Sequence, residues 1–351
     1  MNLITGIREL PPRLAASLSY EEAAYIERVK ERGLPFAVSG HFASLAGPER
    51  DDPIRRQFMP DPREEQADPF ALDDPLGEAC YRVLSRLVHQ YRDRALLKTC
   101  GFCGGCCRFC FRRVWMAKEA PFIPEEEILA VFAWLKTRSG IRELLLSGGD
   151  PLCAPEEAEK LISRIRGEFP SLRIRVCTRI PITDPLRIDK SFTGFLASMA
   201  PLRMAVHINH PRELSPESRA LLGSIAGAGV PVHVQTVLLK GINDSAETLA
   251  KLFGDCLDLG LSPYYLFQLD LAPGTAHFRV PLKKGLAIYR ELAALSSGLA
   301  LPAYALDLPG GGGKIRLHDG VITGEGEEGT TLLLRDSAGR LWPYPSDELP
   351  Y

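Results

Sequence analysis

Short apolar runs alternate with helical patterns from residue 94 onward, and this alternation restricts the fold more than any other feature of the chain. Six of the runs read as buried strands, at 94–99, 143–147, 173–179, 203–209, 231–239 and 262–270. The helical patterns, at 124–137, 156–168, 215–228 and 244–259, are long enough for right-handed crossovers between parallel strands. The chain is therefore predicted to be α/β, and both a doubly wound sheet and a partial barrel satisfy the pattern.

Polar residues at the ends of these runs favour the barrel. They are Ser147 to Asp150, Thr178, Arg179, Asn209, His210, Gln235 and Asp270. In a barrel of parallel strands, the carboxyl ends of the strands converge on one mouth, where functional side chains collect. We therefore predict a partial (β/α)6 barrel of the TIM type.

Three segments are expected along the chain. Residues 1–89 are predicted to form a helical wrapping segment with helices at 20–31 and 76–91, and residues 90–300 the barrel. Residues 301–351 are predicted to carry a glycine-rich lysine segment and a short β-hairpin tail with strands at 330–335 and 340–344.

Composition narrows the class of partner and the compartment. The 351 residues are 45% hydrophobic and carry a net charge of -2, with no basic stretch typical of nucleic-acid binding, so a small-molecule substrate is expected. The start of the chain lacks a signal-peptide pattern and no apolar run is long enough for a membrane helix, so a cytoplasmic protein is expected. Clustered cysteines fit a metal site in a reducing compartment better than a disulfide framework.

Five cysteines lie between Cys100 and Cys110, and three of them, Cys103, Cys107 and Cys110, follow the spacing Cys-x3-Cys-x2-Cys. Three thiolates can hold three irons of a 4Fe-4S cluster and leave the fourth iron open for chemistry. A structural zinc site would need a second cysteine or histidine pair, which the sequence lacks. A four-cysteine electron carrier stays open if Cys100 or Cys106 also binds the cluster.

Two glycine-rich segments add chemistry. Ser147-Gly-Gly-Asp150 follows the second predicted strand, and its backbone amides could bind a cofactor. Four glycines precede Lys314; Ile315 replaces the hydroxyl residue of a phosphate-binding P-loop, so that motif is excluded. A lysine on such a segment could form a Schiff base with pyridoxal phosphate, although a flexible turn with a solvated lysine is the simpler alternative.

The cysteine spacing together with Asp307-Leu-Pro-Gly-Gly-Gly-Gly-Lys314 resembles the lysine 2,3-aminomutase family of the radical S-adenosylmethionine superfamily. Further matching motifs are Asp52-Pro-Ile-Arg-Arg-Gln57, Tyr91-Arg-Asp-Arg94, Cys110-Phe-Arg112-Arg113, His207-Ile-Asn-His-Pro211, the run from Gln235 to Asp244 and the run from Tyr264 to Asp270. The resemblance implies a 4Fe-4S cluster, S-adenosylmethionine and pyridoxal 5'-phosphate as cofactors. It also implies conversion of L-α-lysine to L-β-lysine by radical migration of the amino group.

The same resemblance implies a role for individual residues. Cys103, Cys107 and Cys110 would hold the cluster, and Lys314 would be the catalytic lysine that binds pyridoxal phosphate. Tyr91 and Arg94 would lie near pyridoxal phosphate, while Ser147, Gly148, Gly149, Asp150, His207 and Gln235 would lie near S-adenosylmethionine. Arg112 would bind the substrate carboxylate, and Asp270 with Asp307 would bind its ε-ammonium.

The sequence departs from the longer members of this family. No cysteine follows Cys256, and Ser245 stands at a position that supplies a zinc ligand in those members, so their zinc-linked assembly is expected to be absent and a homodimer would use another surface. Alternatives for the substrate are a lysine of elongation factor P, arginine or glutamate; flavodoxin or ferredoxin is the expected reductant. An iron-sulfur electron carrier is the alternative from a different functional class.

Overall fold

The computed structural model describes residues 2–29, 36–112, 115, 121–326 and 330–346. A short antiparallel pair, β1 (Leu3–Ile4) and β2 (Val38–Ser39), precedes the main sheet. Within the described residues the main sheet has ten strands in sequence order: β3 (Arg82–Leu84), β4 (Leu87–Tyr91), β5 (Arg94–Cys100), β6 (Glu143–Gly148), β7 (Arg173–Thr178), β8 (Leu202–His207), β9 (Val232–Leu238), β10 (Ser262–Gln268), β11 (Ala303–Leu308) and β12 (Gly313–Arg316). Strands β5 to β11 are parallel to one another, whereas the pairs β3–β4, β4–β5 and β11–β12 are antiparallel. The predicted partial barrel is confirmed, with the six predicted strands as β5 to β10.

The described residues also form ten α-helices. They are α1 (Pro12–Ala16), α2 (Tyr20–Val29), α3 (Gly40–Leu45), α4 (Glu125–Lys136), α5 (Pro155–Glu168), α6 (Ile180–Thr183), α7 (Lys190–Ser198), α8 (Pro216–Gly227), α9 (Ala246–Asp258) and α10 (Leu282–Leu295). The four helices predicted between strands are α4, α5, α8 and α9. Ser215 and Ser245 begin α8 and α9 by accepting hydrogen bonds from the amides of Ser218 and Thr248, so Ser245 acts here as a helix cap.

The main core lies between the sheet and these helices. Burial alternates along β9, where Val232, Val234, Thr236 and Leu238 are buried and the residues between them are only partly so. One face of the strand therefore packs on helices, and the other faces the interior of the barrel. None of the described helices combines the length and the apolar character that crossing a bilayer requires.

The prediction of a helix at 76–91 is wrong. Only a single 3-10 turn forms at Glu78–Tyr81, and β3 and β4 follow it. A short apolar pattern can fit both the helical period of 3.6 residues and the strand period of two. Strand pairing decides between them here, because β4 covers the free edge of β5. The helix predicted at 20–31 is observed as α2, with its last predicted residues outside the described part of the chain, as is Arg113.

Both ends of the main sheet approach one another. Gly310 N donates to the carbonyl of Pro75, and Tyr81 Oη donates to the carbonyl of Gly311 at 2.8 Å. A Cβ on Gly77 would lie 2.6 Å from Gly311 N, so the two backbones meet too closely for a side chain. The glycine-rich segment after β11 thus closes against the residues before β3.

The end of the described chain forms a separate antiparallel sheet. It consists of β13 (Ile322–Glu325), β14 (Thr331–Arg335) and β15 (Leu341–Pro345). The predicted hairpin corresponds to β14 and β15, and β13 was missed because its run is short and contains Gly324. Strands β11 and β12 were also missed, although they extend the main sheet. The predicted divisions at residues 89 and 300 remain predictions.

Candidate active site

The cysteine loop leaves the end of β5 and is held by backbone hydrogen bonds to the N-terminal segment. Cys106 N donates to the carbonyl of Ala37 at 2.7 Å, and Arg108 N donates to the carbonyl of Gln57 at 2.9 Å. Cys103, Cys107 and Cys110 are all partly buried, and none forms a disulfide. These two hydrogen bonds hold the cysteine loop against the N-terminal segment.

The thiol chemistry fits a bound iron-sulfur cluster. Burial, followed by the charge of Asp150, raises the pKa of the Cys103 thiol well above its usual range. A bound metal ionises such a thiol. Within the described residues no three His, Cys, Asp or Glu side chains converge on one metal ion, whereas a 4Fe-4S cluster takes each thiolate on a different iron.

Cys100 occupies a different environment from the three predicted ligands. Its thiol is fully buried and donates to the carbonyls of Phe102 and Asp150, at 2.9 and 3.3 Å. Burial raises the pKa of Cys100 to about 12, so it stays a neutral thiol. These contacts agree with a structural role for Cys100.

The glycine turn at the end of β6 forms hydrogen bonds to the cysteine loop. Gly149 N donates to the carbonyl of Cys100 at 2.7 Å, and Asp150 N donates to the carbonyl of Phe102 at 2.9 Å. A Cβ on Gly149 would lie 2.2 Å from the Phe102 oxygen, and Gly148 has a φ of 104°. The amides of Gly149 and Asp150 therefore bind the loop, and a role of these residues in holding a cofactor stays a prediction.

Asp150 is also fully engaged through its side chain. The carboxylate accepts hydrogen bonds from Leu152 N, Thr178 Oγ1, Arg179 N and Ile180 N. Burial nevertheless raises its pKa. Asp150 thus ties the glycine turn to the end of β7, and its position near S-adenosylmethionine stays a prediction.

His207, the last residue of β8, lies beside Gln235, which is in the middle of β9. The His207 ring stacks on Phe109 of the cysteine loop with ring centroids 5.5 Å apart, and its Nε2 is buried with no hydrogen-bond partner. Burial, followed by the charge of Arg179, lowers the pKa of His207 to about 3, so the ring is neutral. A neutral, unpartnered ring nitrogen beside the loop fits a polar cofactor there.

Lys314 lies at the start of β12, directly opposite Asp307 of β11. Its Nζ is 2.5 Å from Asp307 Oδ2 and 4.1 Å from the centre of the Phe267 ring. The ring of Tyr265 lies 5.2 Å from the same nitrogen. The lysine amine therefore projects along an aromatic wall toward a carboxylate.

Tyr91 contacts the backbone of this lysine, and Arg94 packs on the ring of Tyr91. Tyr91 Oη accepts a hydrogen bond from Lys314 N at 3.0 Å, and the guanidinium of Arg94 lies 4.0 Å from the centre of the Tyr91 ring. Tyr91 lies at the end of β4 and Arg94 at the start of β5. The contact brings the predicted cofactor residues together across the gap between the two ends of the sheet.

Arg112 lies beside the glycine turn and is paired with an acid. Its Nη1 donates to Ser147 Oγ at 3.3 Å. Its Nε, at 3.1 Å, and its Nη2 both donate to Glu78 Oε1. Glu78 Oε2 also lies 3.0 Å from Lys98 Nζ. The predicted substrate clamp is thus occupied by a carboxylate of the protein itself.

Asp270 follows β10 and completes a charged cluster. Its carboxylate accepts no hydrogen bond within the described residues. Burial, and then the negative charge of Asp307, raise the pKa of Asp270 to about 7, against the opposing charges of Lys314 and Arg112. Three carboxylates, those of Asp270, Asp307 and Glu78, and two cations therefore act on one another at this site.

Sequence reasoning missed Glu78, Lys98 and Gln57 as functional candidates, and it gave Arg179 no role. Glu78 was hidden inside the wrongly predicted helix, and Gln57 was quoted only as part of a motif. Arg179 had been recognised as a polar residue at a strand end, which was the available signal.

Comparisons with known proteins agree with this geometry. The model of the Radical SAM superfamily matches residues 97–253. The chain is 46% identical over 265 residues to a putative L-lysine 2,3-aminomutase of Treponema pallidum (strain Nichols), covering 75% of both chains. It is 33% identical over 323 residues to the L-lysine 2,3-aminomutase of Bacillus subtilis (strain 168), covering 92% of this chain and 68% of that one.

The glutamate 2,3-aminomutase of Clostridioides difficile (strain 630) is 32% identical over 345 residues, covering 97% of this chain and 80% of that one. A radical SAM domain implies a 4Fe-4S cluster and S-adenosylmethionine as cofactors. With a cysteine loop, a glycine turn and a lysine beside paired aspartates in place, the chain belongs to the lysine 2,3-aminomutase family of the radical SAM superfamily.

Proposed function

We propose that this protein is an L-lysine 2,3-aminomutase, which converts L-α-lysine to L-β-lysine by moving the amino group to the neighbouring carbon. The observation that carries the proposal is the pair of carboxylates, Asp270 and Asp307, beside Lys314. A buried ammonium requires such counter-charges, and the side chain of lysine brings one.

The residues around Lys314 fit pyridoxal phosphate. When bound, the cluster and S-adenosylmethionine supply one-electron chemistry, and pyridoxal phosphate supplies a ring that delocalises electrons. Phe267 and Tyr265 place two aromatic rings next to the lysine amine, and Tyr91 accepts a hydrogen bond from the lysine backbone. Lys314 would hold this cofactor through its amine, and Arg94 would contribute a positive charge near its phosphate.

Asp307 already binds an ammonium group in this structure, that of Lys314. The ε-ammonium of substrate lysine has the same chemistry, so the two groups are alternative partners for one carboxylate. The Asp270 carboxylate accepts no hydrogen bond in the described chain and would supply the second contact. The pair is thereby suited to a cationic substrate tail.

Arg112 is likewise bound to a group of the protein that resembles part of the substrate, in this case a carboxylate. The carboxylate of Glu78 occupies its guanidinium, and the carboxylate of an amino-acid substrate is chemically alike. Arg112 Nη1 is directed to Ser147, next to the glycine turn. Arg112 would therefore orient the amino-acid end of the substrate, while the aspartates bind its far end.

A glutamate substrate fits this site poorly. Its side chain would place a further carboxylate against Asp270 and Asp307, where burial and then the charge of Asp307 already raise the pKa of Asp270. An arginine substrate and a lysine of elongation factor P both carry a cation, and they are the competing substrates to test.

The experiment is anaerobic incubation of the reconstituted protein, with all cofactors and a reductant, with isotopically labelled lysine, arginine or glutamate, or with elongation factor P. We expect β-lysine from free lysine. No β-lysine, or faster modification of another substrate, would overturn the assignment of substrate. Lys314→Ala should abolish both turnover and the pyridoxal absorption band, whereas Lys284→Ala, at a surface ion pair with Asp244, should retain both.

The proposed activity also requires a reductant for the cluster. A flavodoxin or ferredoxin would reduce the cluster in the cytoplasm, and any homodimer would form without zinc-linked assembly. An iron-sulfur electron carrier would instead need a fourth cysteine. We expect Cys100→Ser and Cys106→Ser to retain the cluster and cleavage of S-adenosylmethionine; loss of the cluster from either variant would favour the carrier.

A further inference from the structure

A buried arginine contacts the sulfur of a predicted cluster ligand. Arg179 Nη1 donates to Cys107 Sγ at 2.8 Å, from the residue that directly follows β7. The Arg179 side chain is only 9% exposed. It is therefore a charged donor placed against one thiolate in a largely water-free setting, where such hydrogen bonds are strong.

Several groups fix the direction of this guanidinium. Its Nη2 donates to Gln57 Oε1 at 2.5 Å and to Glu213 Oε2 at 3.0 Å. Its faces lie 4.9 Å from the centre of the Phe42 ring and 5.6 Å from that of Phe109. With Nη2 bound on the far side, Nη1 is held on the sulfur.

The same network also holds the cysteine loop. The backbone carbonyl of Gln57 accepts a hydrogen bond from Arg108 N of the loop. The side-chain amide of Gln57 donates to Glu213 Oε1 at 2.8 Å. Asn209, after β8, donates to Gln57 Oε1 at 3.0 Å. Loop and arginine are thus fixed relative to one another by shared buried partners, so the contact with sulfur does not depend on a mobile side chain.

Reduction adds one electron, and hence one negative charge, to an iron-sulfur cluster. Hydrogen bonds to the ligand sulfurs and nearby positive charge stabilise the reduced form, and both raise the reduction potential. Arg179 supplies both effects at Cys107. Glu213 offsets part of its charge, but the carboxylate binds the nitrogen remote from the sulfur.

We propose that Arg179 is a positioning residue that sets the reduction potential of the cluster, through its hydrogen bond to Cys107 Sγ and its buried charge. One electron from the reductant enters the cluster, no bond is broken, and Arg179 stays protonated throughout. This proposal rests on the cluster assignment of the proposed function and is independent of which amino acid is the substrate.

The test is a redox titration of the reconstituted cluster, with dithionite as electron donor and electron paramagnetic resonance as readout, without S-adenosylmethionine or substrate. Arg179→Gln removes the charge and should shift the potential to a more negative value. Arg179→Lys retains the charge but cannot bind the sulfur, Gln57 and Glu213 together, and should give a smaller negative shift. The matched control is Arg175→Gln in β7, because Arg175 is a partly buried arginine whose hydrogen bonds go to the carboxylate of Glu143.

Iron and sulfide content of each variant is measured alongside the potential. A wild-type potential in either Arg179 variant that holds a full cluster would overturn the proposal. Loss of the cluster from both variants would show a purely structural role and would overturn it as well. The labelled-lysine assay remains a separate readout, so a failure of the lysine assignment would leave the redox result interpretable.

Discussion

Glu78 is the residue whose replacement tests the charge pattern of the site most directly. It binds two cations, Arg112 and Lys98, and its side chain is 13% exposed. Burial alone would raise the pKa of Glu78, but the charges and hydrogen bonds of Arg112 and Lys98 outweigh it and lower the pKa to about 2, from 4.5. Glu78→Gln has nearly the same shape and leaves both cations without this anion.

The size of the effect follows from the pKa. Because lowering a pKa by one corresponds to about 1.4 kcal/mol, the ionised Glu78 stabilises the folded protein by roughly 3 kcal/mol at pH 7. Loss of one partner from a buried pair is expected to cost ~3–5 kcal/mol, which agrees. Because the folded pKa is below the unfolded one, this contribution is complete above pH 4.5 and is lost as the pH falls toward 2.

The assay is urea unfolding of the cofactor-free protein at pH 7 and at successively lower pH. We expect Glu78→Gln to have a free energy of unfolding about 3 kcal/mol lower at pH 7, with the gap narrowing below pH 4.5. Glu125→Gln is the matched control, because Glu125 pairs with Arg164 at the exposed surface and should show no measurable change. Equal losses in the two variants, or no loss in Glu78→Gln, would refute the reasoning.

Two further predictions concern the glycine-rich segment and the paired aspartates. Gly77→Ala places a Cβ 2.6 Å from Gly311 N at a φ of 63°, so we expect a loss of ~2–5 kcal/mol in urea unfolding. Gly229→Ala, with a φ of 84° and open space around it, should lower the free energy of unfolding only by the cost of the positive φ, ~1–2 kcal/mol. Equal losses in Gly77→Ala and Gly229→Ala would exclude the close approach as the cause. Asp270→Asn should stabilise the cofactor-free protein above pH 7, and the gain should vanish as the pH falls toward 4, because the folded pKa of about 7 lies above the unfolded value of 3.8. It should also weaken lysine binding by ~2–5 kcal/mol, and unchanged KM and kcat would remove Asp270 from the site.

Local pattern was sufficient for the central strands. The runs that became β5 to β10 are apolar, bounded by turn residues and separated by long helical patterns, and each of these signals is contained in a few neighbouring residues. The flanking strands β3, β4, β11 and β12 are shorter, and they form because the sheet needs partners at its edges. The pattern of residues 76–91 fits both a helix and a strand, and it does not show that a neighbouring strand will be present to pair with it.

Some roles inferred for site residues depended on contacts that sequence does not display. The glycines of residues 148 and 149 were recognised as important, but the reason is the close approach of the cysteine loop at Phe102. Likewise, the glycines before Lys314 allow contact with Gly77 and Tyr81 of the protein itself. Both approaches join segments far apart in the chain, so only the folded backbone shows them.

The sequence by itself determined the class of fold, the cysteine spacing and the presence of a lysine after four glycines, because these are properties of residue type and short spacing. Tertiary structure decided the pairings: Glu78 with Arg112, Asp307 with Lys314, and Arg179 with Cys107. Electrostatic effects depend on distance and burial, and those quantities exist only after strands separated by many residues have been brought to one mouth.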